Sequence, residues 1–557
     1  MATSTSSTTS APHRRPAISR RFAALAGLLA AVFGMAVGHL VASLLNPDSS
    51  PVLAVGSTVI DSTPASMKEW AIRTFESDGF SIGPIDFPAQ NYDKVVLVGS
   101  VLIGVLVAAG LAGLLVRRSF RLATGALLAL VALSGAAVLT RPTVEALDVV
   151  PVLFTAAAGV AALWTLTRTA QGLPLDPRAV STAERAKAEA SRAEGADDAA
   201  GVRPTRRGVL IATGALTAAA ALFGGAGRWI NSIRARAEDI ALPTPASPAP
   251  AFPTGLEDTY PAITPLRMPN NTFYRVDTRL DTPVLSSADW KLTVDGMVDN
   301  PFEITFEELL DMPMIERDIT LTCVSNSVGG KYVGGARWLG VPLKDILDRA
   351  GVQSGVDQIF TTDFDGMTIS TPYDIATDGR DSMLAVGMNG VPLPREHGFP
   401  VRQIIPGLYG FISATKWITR MTLTTYADKD SYWTQKKWAT DAPIKPSTRI
   451  DTPRSLSTAP GSEPVLIGGV AWAQFDEGVS KVQVQIDGGP WIDADLGPDV
   501  NSVYWRQWYY LWQDATPGSH LIRARTITVD GLTQTDARVE PFPAGSSGIH
   551  SVSFTVG

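Results

Sequence analysis

The chain has 557 residues, which is enough for several domains. Its formal net charge is −7, from 47 Lys and Arg against 54 Asp and Glu, and it has no basic patch. Nucleic acid is therefore not an expected partner. Its single cysteine excludes an intramolecular disulfide, a c-type haem attachment motif and a cysteine-held iron–sulfur cluster.

Long uncharged apolar runs fill the first 230 residues. Each has roughly the 20 residues that a helix needs to cross the hydrocarbon core. Buried helices of a soluble domain are the alternative, but five runs without an internal charge argue against them. We therefore expect a membrane domain over residues 1–240, an all-α bundle of five transmembrane helices over 22–45, 95–116, 122–140, 149–167 and 208–227.

Loop charges predict the orientation, because basic loops stay on the cytoplasmic side. Residues 46–93 carry seven acidic and two basic residues, whereas residues 168–207 carry eight basic residues. We expect the chain after about Arg228 to be extracytoplasmic at a bacterial cell membrane. Arg206 and Arg207, just before the fifth run, resemble a twin-arginine signal, and that route exports folded proteins.

The remaining chain reads as a linker and two domains. Residues 241–254 are rich in Pro and Ala, a composition typical of a semi-rigid linker. Residues 255–450 mix strand and helix patterns, which predicts an α+β domain. Residues 460–557 predict an all-β domain, because alternating apolar runs at 465–471, 479–486, 504–510 and 520–528 are separated by turn residues. Their spacing suggests an immunoglobulin-like sandwich.

Cys323 ends an apolar, strand-like run and precedes a Gly-rich loop. An inert core thiol, a nucleophile and a metal ligand all fit this position, and composition alone favours the first. For a nucleophile, His397 would be the base, but the sequence offers no specific third group to orient it.

Two further strings contain candidate site residues. His397, Arg402 and Lys416 lie among Gly and Pro residues and could donate to a phosphate or a similar anion. A solvated surface loop is the alternative. Earlier in the chain, the run 271–275 carries Asn271, Tyr274 and Arg275.

These strings occur in the order seen in the sulfite oxidase family, and over residues 255–557 the chain resembles its membrane-tethered bacterial members. The run 505–508, Trp-Arg-Gln-Trp, is similar to the family's molybdenum-cofactor dimerisation domain. The resemblance implies molybdenum and molybdopterin as cofactors, with the Cys323 thiolate as metal ligand. It implies a cofactor site that comprises Asn271, Tyr274, Arg275, Cys323, Thr362, His397, Arg402, Ser413, Thr415 and Lys416.

The chain departs from the family pattern after Asn326. Plant and animal sulfite oxidases carry anion-binding arginines there, whereas this chain has Ser327 and Val328. Arg275 and Arg337 are candidate catalytic replacements, beside Cys323. The substrate therefore stays open between a sulfite-like oxygen acceptor and an S-oxide or N-oxide donor.

The resemblance implies oxygen-atom transfer coupled to a two-electron redox change. Without haem or iron–sulfur motifs, the electrons must pass to a separate partner, a cytochrome or a quinone-linked membrane protein. A homodimer through the last domain is one expected assembly. The non-enzymatic alternative is a membrane-displayed binding module without a cofactor, whose ligand face would use Trp505, Trp508, Tyr509, Tyr510 and Trp512.

Overall fold

The computed structural model describes residues 18–63, 67, 80–82, 85–87, 92–141, 145–171, 173, 206–234, 238, 240–279, 282–461 and 463–557. The chain forms two compact units, the first over residues 1–236 with 279–281 and the second over 237–278 with 282–557. Much of the acidic loop after the first helix, and of the basic segment before the fifth apolar run, lies outside the described residues.

The first unit is mainly helical. It contains α1 (Arg20–Leu44), α2 (Pro51–Ser62), α3 (Tyr92–Leu114), α4 (Phe120–Leu139), α5 (Val150–Ala170) and α6 (Arg206–Arg234), with the short antiparallel pair β1 (Phe80–Ile82) and β2 (Ile85–Phe87). Within the described residues, five helical spans are long and apolar enough to cross a membrane: Arg20–Leu44, Gly99–Arg117, Phe120–Leu139, Ala146–Ala170 and Arg207–Asn231. The five predicted apolar helices are therefore confirmed. The sequence analysis predicts no helix at α2, whose 12 residues are too few to span a bilayer.

Small residues let α1 pack closely on its neighbours. A Cβ added to Gly27 would lie 2.6 Å from the Cα of Gly113 in α3, and one added to Gly34 would lie 2.7 Å from the Thr155 carbonyl oxygen in α5. Helices can approach this closely only where small residues line the contact. The spacing of small residues within an apolar run thus builds the bundle around α1.

The first part of the second unit is built from two sheets. Its strands are β3 (Lys291–Gly296), β4 (Phe302–Thr305), β5 (Ile315–Thr322), β6 (Val333–Pro342), β7 (Gln358–Asp363), β8 (Thr368–Pro372), β9 (Met383–Met388), β10 (Val391–Pro392), β11 (Arg402–Ile404) and β12 (Ile418–Thr424). Its helices are short: α7 (Phe306–Leu310), α8 (Leu343–Ala350), α9 (Tyr373–Ala376), α10 (Gly410–Ser413) and α11 (Tyr432–Gln435).

The sheet order brings distant segments together. One sheet runs β10-β9-β6-β5, with β11 paired to β9, and the other runs β4-β3-β12-β7-β8. The strand β12 is parallel to β3 and antiparallel to β7. As a result the β5–β6 hairpin, which carries Cys323 at its end, shares a sheet with β11, which begins at Arg402.

The C-terminal region is all-β, as predicted. It contains β13 (Ser447–Thr452), β14 (Thr458–Ala459), β15 (Val465–Trp472), β16 (Val479–Ile486), β17 (Ile492–Asp493), β18 (Asp495–Leu496), β19 (Arg506–Trp512), β20 (Gly518–Thr528) and β21 (His550–Val556). They form the sheets β13-β15-β19-β18 and β14-β21-β20-β16-β17, and buried side chains from both sheets share one core. The strand β13 begins at Ser447, before residue 460 where the sequence places the start of this region, because it pairs with β15.

Two expectations meet a different structure. The predicted linker 241–254 packs beside β5 instead of standing free, since the amide of Ala246 donates to Met314 at 2.8 Å and Arg337 donates to Pro250 at 2.6 Å. Trp505 and Trp508, two of the aromatic residues of the alternative ligand face, are 1% and 0% exposed. Their rings therefore belong to the interior.

Candidate functional site

Cys323 follows β5 directly and begins the loop 323–332, which joins β5 to β6. Its side chain is buried, at 8% exposed. Its amide donates to the Tyr332 carbonyl at 2.9 Å, so that the hairpin pairing continues one residue beyond β5. The thiol is therefore held at the end of two paired strands.

Asn326 braces this loop from inside. Its side-chain Oδ1 accepts a hydrogen bond from the backbone amide of Tyr332 at 2.9 Å. The backbone amide of Asn326 donates to the Cys323 carbonyl at 3.0 Å. The side chain is 5% exposed. Asn326 thus supports the backbone that carries the thiol.

Arg402 is a buried cation at the start of β11. Its guanidinium lies 5.1 Å over the Trp338 ring, and Nη1 donates to the His397 carbonyl at 3.1 Å. Its Nε is buried and has no hydrogen-bond partner among the described residues. Burial lowers the pKa of Arg402 to about 10, and the side chain still carries its charge at neutral pH.

Lys416 and Arg275 share one carboxylate. Both bind Oδ2 of Asp277 at 2.8 Å, and the ammonium of Lys416 also donates to the Glu396 carbonyl at 3.1 Å. Burial lowers the pKa of Lys416 to about 8, although the charge of Asp277 opposes that shift. An isolated bridge pairs the backbones of Lys416 and Arg402. Two cations thus share one carboxylate and a third, Arg402, lies on the neighbouring strand segment, which leaves a local surplus of positive charge.

His397 completes this cationic cluster, which we define as Arg275, His397, Arg402 and Lys416. Its Nε2 lies 2.8 Å from the Asn270 carbonyl oxygen, so Nε2 is the protonated nitrogen. Burial lowers the pKa of His397 to about 4, and the neighbouring cations add to the shift. The imidazole is therefore neutral at pH 7, with Nδ1 left as a hydrogen-bond acceptor.

Aromatic side chains pack against the cationic cluster. The Tyr274 ring stacks on Phe273 with centroids 5.1 Å apart, and Phe273 meets His397 edge-on at 5.4 Å. Burial raises the pKa of Tyr274, the Cys323 thiol raises it further, and Arg402 lowers it. Tyr274 therefore lies in the electrostatic field of both Cys323 and Arg402.

Ser413 and Thr415 are buried beside the cluster and bind the protein's own groups. The hydroxyl of Ser413 donates to the carbonyls of Leu408 and Tyr409 at 2.9 and 3.0 Å. The hydroxyl of Thr415 lies 2.6 Å from that of Thr361. Both residues shape the backbone that leads into Lys416.

The structure does not bring Thr362 or Asn271 into this cluster. Adjacent strand residues point to opposite faces, so Thr361 reaches Thr415 while Thr362 lines a surface cleft with Trp290 and Phe364. Asn271 is exposed, whereas the backbone of the preceding Asn270 contacts His397.

Arg337 is also elsewhere. It faces Asp318 across the β5–β6 ladder, with Nε–Oδ1 and Nη2–Oδ2 distances of 2.9 and 2.7 Å. It lies four positions along β6 from Val333, about 13 Å at the usual rise per strand residue. Its bidentate ion pair therefore braces the hairpin away from Cys323.

Three members of the site are not among the residues predicted from the sequence. Asp277 is the carboxylate that joins Arg275 to Lys416, and the short spacing after Arg275 is its only signal. Trp338 lies under the Arg402 guanidinium. Tyr409 is 4% exposed, and its pKa is raised to about 12, mainly by burial and partly by the Cys323 thiol.

The donor set fits a phosphate-bearing, metal-containing cofactor. A buried guanidinium nitrogen without a partner and a surplus of buried positive charge call for an anion. A thiolate is a soft metal ligand. Within the described residues, no three His, Cys, Asp or Glu side chains form a metal site. Cys323 would then be a protein ligand to a metal that the cofactor carries.

Comparison with known proteins agrees with this chemistry. The model of a family described as oxidoreductase molybdopterin binding domain matches residues 279–433. The nitrate reductase [NADH] of Solanum lycopersicum is 28% identical over 310 residues, which cover 45% of this chain and 34% of that enzyme. Nitrate reductase [NADH] 1 of Oryza sativa subsp. japonica is 28% identical over 302 residues, which cover 44% of this chain and 33% of the relative.

The chain thus spans about a third of the length of these curated relatives. Among solved structures, the sulfane dehydrogenase SoxCD from Paracoccus pantotrophus matches with a TM-score of 0.45 and 22% identity, over 52% of this chain and 82% of that one. The matched domain and the curated relatives identify the cofactor as Mo-molybdopterin. The chain is therefore an enzyme with a molybdopterin-binding oxidoreductase domain, and it is similar to the sulfite oxidase family of molybdopterin-dependent oxidoreductases.

Proposed function

We propose that this enzyme transfers an oxygen atom to or from a small substrate, coupled to a two-electron redox change. Two features that meet at Tyr274 support the proposal. Arg402 is buried and its Nε has no hydrogen-bond partner among the described residues, and both Arg402 and the Cys323 thiol act on the pKa of Tyr274. One feature suits a cofactor phosphate and the other suits a metal. The enzyme assignment displaces the alternative of a non-enzymatic binding module.

Each site residue has a proposed part. Cys323 would supply a thiolate to the metal, and Arg402, Lys416 and His397 would hold the cofactor phosphate and ring. Arg275 would add positive charge beside Lys416, with which it shares the Asp277 carboxylate. When bound, the cofactor supplies the oxygen-transfer and electron chemistry, and the protein positions it.

Two of the groups whose pKa values respond to the Cys323 thiol are neutral tyrosine hydroxyls. Because their pKa values are raised, Tyr274 and Tyr409 stay protonated at pH 7. Arg337, a candidate to replace the family's anion-binding arginines, is engaged with Asp318. This arrangement favours a second candidate within the same proposal, the reduction of a neutral S-oxide or N-oxide instead of the oxidation of sulfite.

Turnover in both directions tests the two candidates. The purified holoenzyme is assayed for sulfite oxidation with an artificial electron acceptor, and for S-oxide and N-oxide reduction with a reduced viologen dye. We expect reduction of a neutral oxide to exceed sulfite oxidation in kcat/KM. Efficient sulfite oxidation with no oxide reduction would reverse this preference, and no turnover in any assay would contradict the oxygen-transfer proposal.

We also propose that the apolar helices anchor the enzyme in a bacterial membrane, with the catalytic domain outside the cytoplasm. Five long apolar helices and the asymmetry of basic loop residues support this. Labelling intact cells with a membrane-impermeant maleimide tests the topology. Ser519→Cys, at an exposed site of β20, should be labelled, whereas Arg118→Cys should be labelled only after permeabilisation. The reverse pattern would contradict the proposal.

The C-terminal sheets are proposed to form an immunoglobulin-like sandwich that supports a homodimer. The shared core of the two sheets supports the sandwich. Light scattering on the detergent-solubilised enzyme tests the dimer, because a mass of one chain would contradict it.

Electrons are proposed to pass to or from a separate cytochrome or quinone-linked membrane protein.

A further inference from the structure

The loop 323–332 has contacts outside its own domain. Its inner bonds run between Asn326, Tyr332 and Cys323, as described above. Its outer side meets the C-terminal all-β region, which belongs to the same compact unit. Apart from Arg449 of β13, whose Nη1 donates to the Gly330 carbonyl at 3.4 Å, the residues that make these outer contacts come from the segment 545–550, just before and at the start of β21.

The first contact is a hydrogen bond. The hydroxyl of Ser546 donates to the backbone carbonyl of Asn326 at 2.6 Å. The segment that carries Ser546 is itself fixed, because Val539 and Ser547 exchange backbone hydrogen bonds at 3.1 and 3.2 Å. Ser546 therefore restrains the residue that closes the Cys323 loop.

The second contact is a ring packed on a glycine. The imidazole of His550 lies so close to Gly329 that a Cβ there would collide with its Cδ2 and Nε2 atoms. The ring is oriented by the Ile450 amide, which donates to Nδ1 at 3.0 Å. Gly329 has a φ of +80°, which favours glycine as well. The oriented His550 ring therefore limits movement of the loop at Gly329.

The third contact reaches the other flank of the site. Gly545 lies against the Tyr409 ring, where an added Cβ would be 2.6 Å from the hydroxyl oxygen. The carbonyl of Gly545 accepts a hydrogen bond from Lys445 at 2.6 Å. Tyr409 is buried, and the Cys323 thiol contributes to its raised pKa. One short segment therefore borders both the thiol loop and Tyr409.

We propose that Ser546 and His550 are positioning residues for the Cys323 loop, so that the C-terminal all-β region sets the placement of the metal ligand within its own chain. Neither residue touches the reacting atoms; each acts through the backbone of Asn326 or Gly329. The inference rests on the proposed function only in taking Cys323 as the metal ligand. It gives the all-β region a role in the site in addition to the dimerisation that the family resemblance implies.

Ser546→Ala tests whether the hydrogen bond from Ser546 to Asn326, which we call the brace, restrains the Cys323 loop. Ser547→Ala is its matched control. The control removes an adjacent hydroxyl that donates to Ala537 at 2.9 Å and does not touch the Cys323 loop. Loss of one hydrogen bond of about 1 to 1.5 kcal/mol should speed amide exchange in peptides covering 323–332 by about tenfold. We expect this change in Ser546→Ala, no change in Ser547→Ala, and restoration in Ser546→Thr.

The holoenzyme provides a second measurement. In Ser546→Ala, the electron paramagnetic resonance signal of the half-reduced metal should shift, and kcat should fall about tenfold with little change in KM. Exchange rates and spectra equal to those of Ser547→Ala would overturn the proposal. If the wild-type protein held no molybdenum, the proposed function would fail, whereas the exchange measurement would still decide the brace.

His550→Phe is a second variant that keeps a ring against Gly329 but removes the acceptor for the Ile450 amide. We expect loop exchange to increase several-fold here too, with the thermal midpoint lowered in parallel. An unchanged loop in both Ser546→Ala and His550→Phe would show that the all-β region does not position the thiol.

Discussion

Arg402 keeps its charge while buried, and its Nε finds no hydrogen-bond partner among the described residues. A buried donor left without a partner costs about 1 to 3 kcal/mol, and more when the group is charged. Lys416 and Arg275 add two more cations around the single carboxylate of Asp277. As proposed above, the phosphate of a bound molybdopterin is an anion that these residues are suited to hold.

Arg402→Met should lower cofactor retention, because it removes the guanidinium and keeps most of the apolar stem. Charge-assisted hydrogen bonds of about 1.5 to 3 kcal/mol correspond to roughly a tenfold to hundredfold loss of affinity. Pterin fluorescence per purified chain measures the effect. Arg420→Met is the control, since that arginine is 54% exposed and pairs with Asp295 at 3.1 Å. Equal pterin content in both variants would contradict the assignment.

His397 predicts a pH dependence for the cofactor-free protein. Its pKa is lowered from 6.5 to about 4, mainly by burial, so the unfolded chain binds a proton more readily than the folded chain. Stability is therefore fully present above pH 6.5 and is lost as the pH falls towards 4, by about 3 kcal/mol. Urea unfolding at pH 7 and pH 4.5 should show a smaller acid effect in His397→Gln. An identical effect in both proteins would contradict this.

At the level of secondary-structure elements, the period and length of apolar runs predict whether a segment is a helix or a strand better than they predict the residues at which it begins and ends. The five apolar helices follow from run length alone, and the strands of the C-terminal region follow from alternation. The strand β13 escapes prediction because only its pairing with β15 assigns it to the all-β region. The stretch 241–254 has the composition of a linker, but it packs beside β5 through backbone hydrogen bonds that composition does not reveal.

The contact between α1 and α3 gives a prediction at this scale. Gly113→Leu should destabilise the helical unit by about 1 to 3 kcal/mol, because its side chain would have to occupy the space of Gly27. Gly104→Leu is the control in the same helix, since nothing lies within 4 Å of its added Cβ. Thermal unfolding in detergent should show a lower midpoint for Gly113→Leu only. Equal midpoints would contradict the close crossing.

At the scale of the whole molecule, sequence motifs identify the chemistry, and tertiary contacts decide which residues take part. The Cys323, His397, Arg402 and Lys416 motifs could be read from the chain because Gly and Pro frame them. The position of Arg337 could not, because its role depends on facing Asp318 across a ladder. Likewise, a contact such as that of Ser546 with Asn326 joins residues 220 positions apart. Local spacing carries no signal of it.

X-ray absorption at the molybdenum edge would show whether Cys323 binds the metal. A dithiolene together with a protein thiolate gives three sulfur neighbours, so the wild-type holoenzyme should show three and Cys323→Ser should show two. Pterin content should be similar in both, because the cationic cluster is intact. An unchanged sulfur count in Cys323→Ser would contradict such binding and leave Cys323 as a buried core thiol.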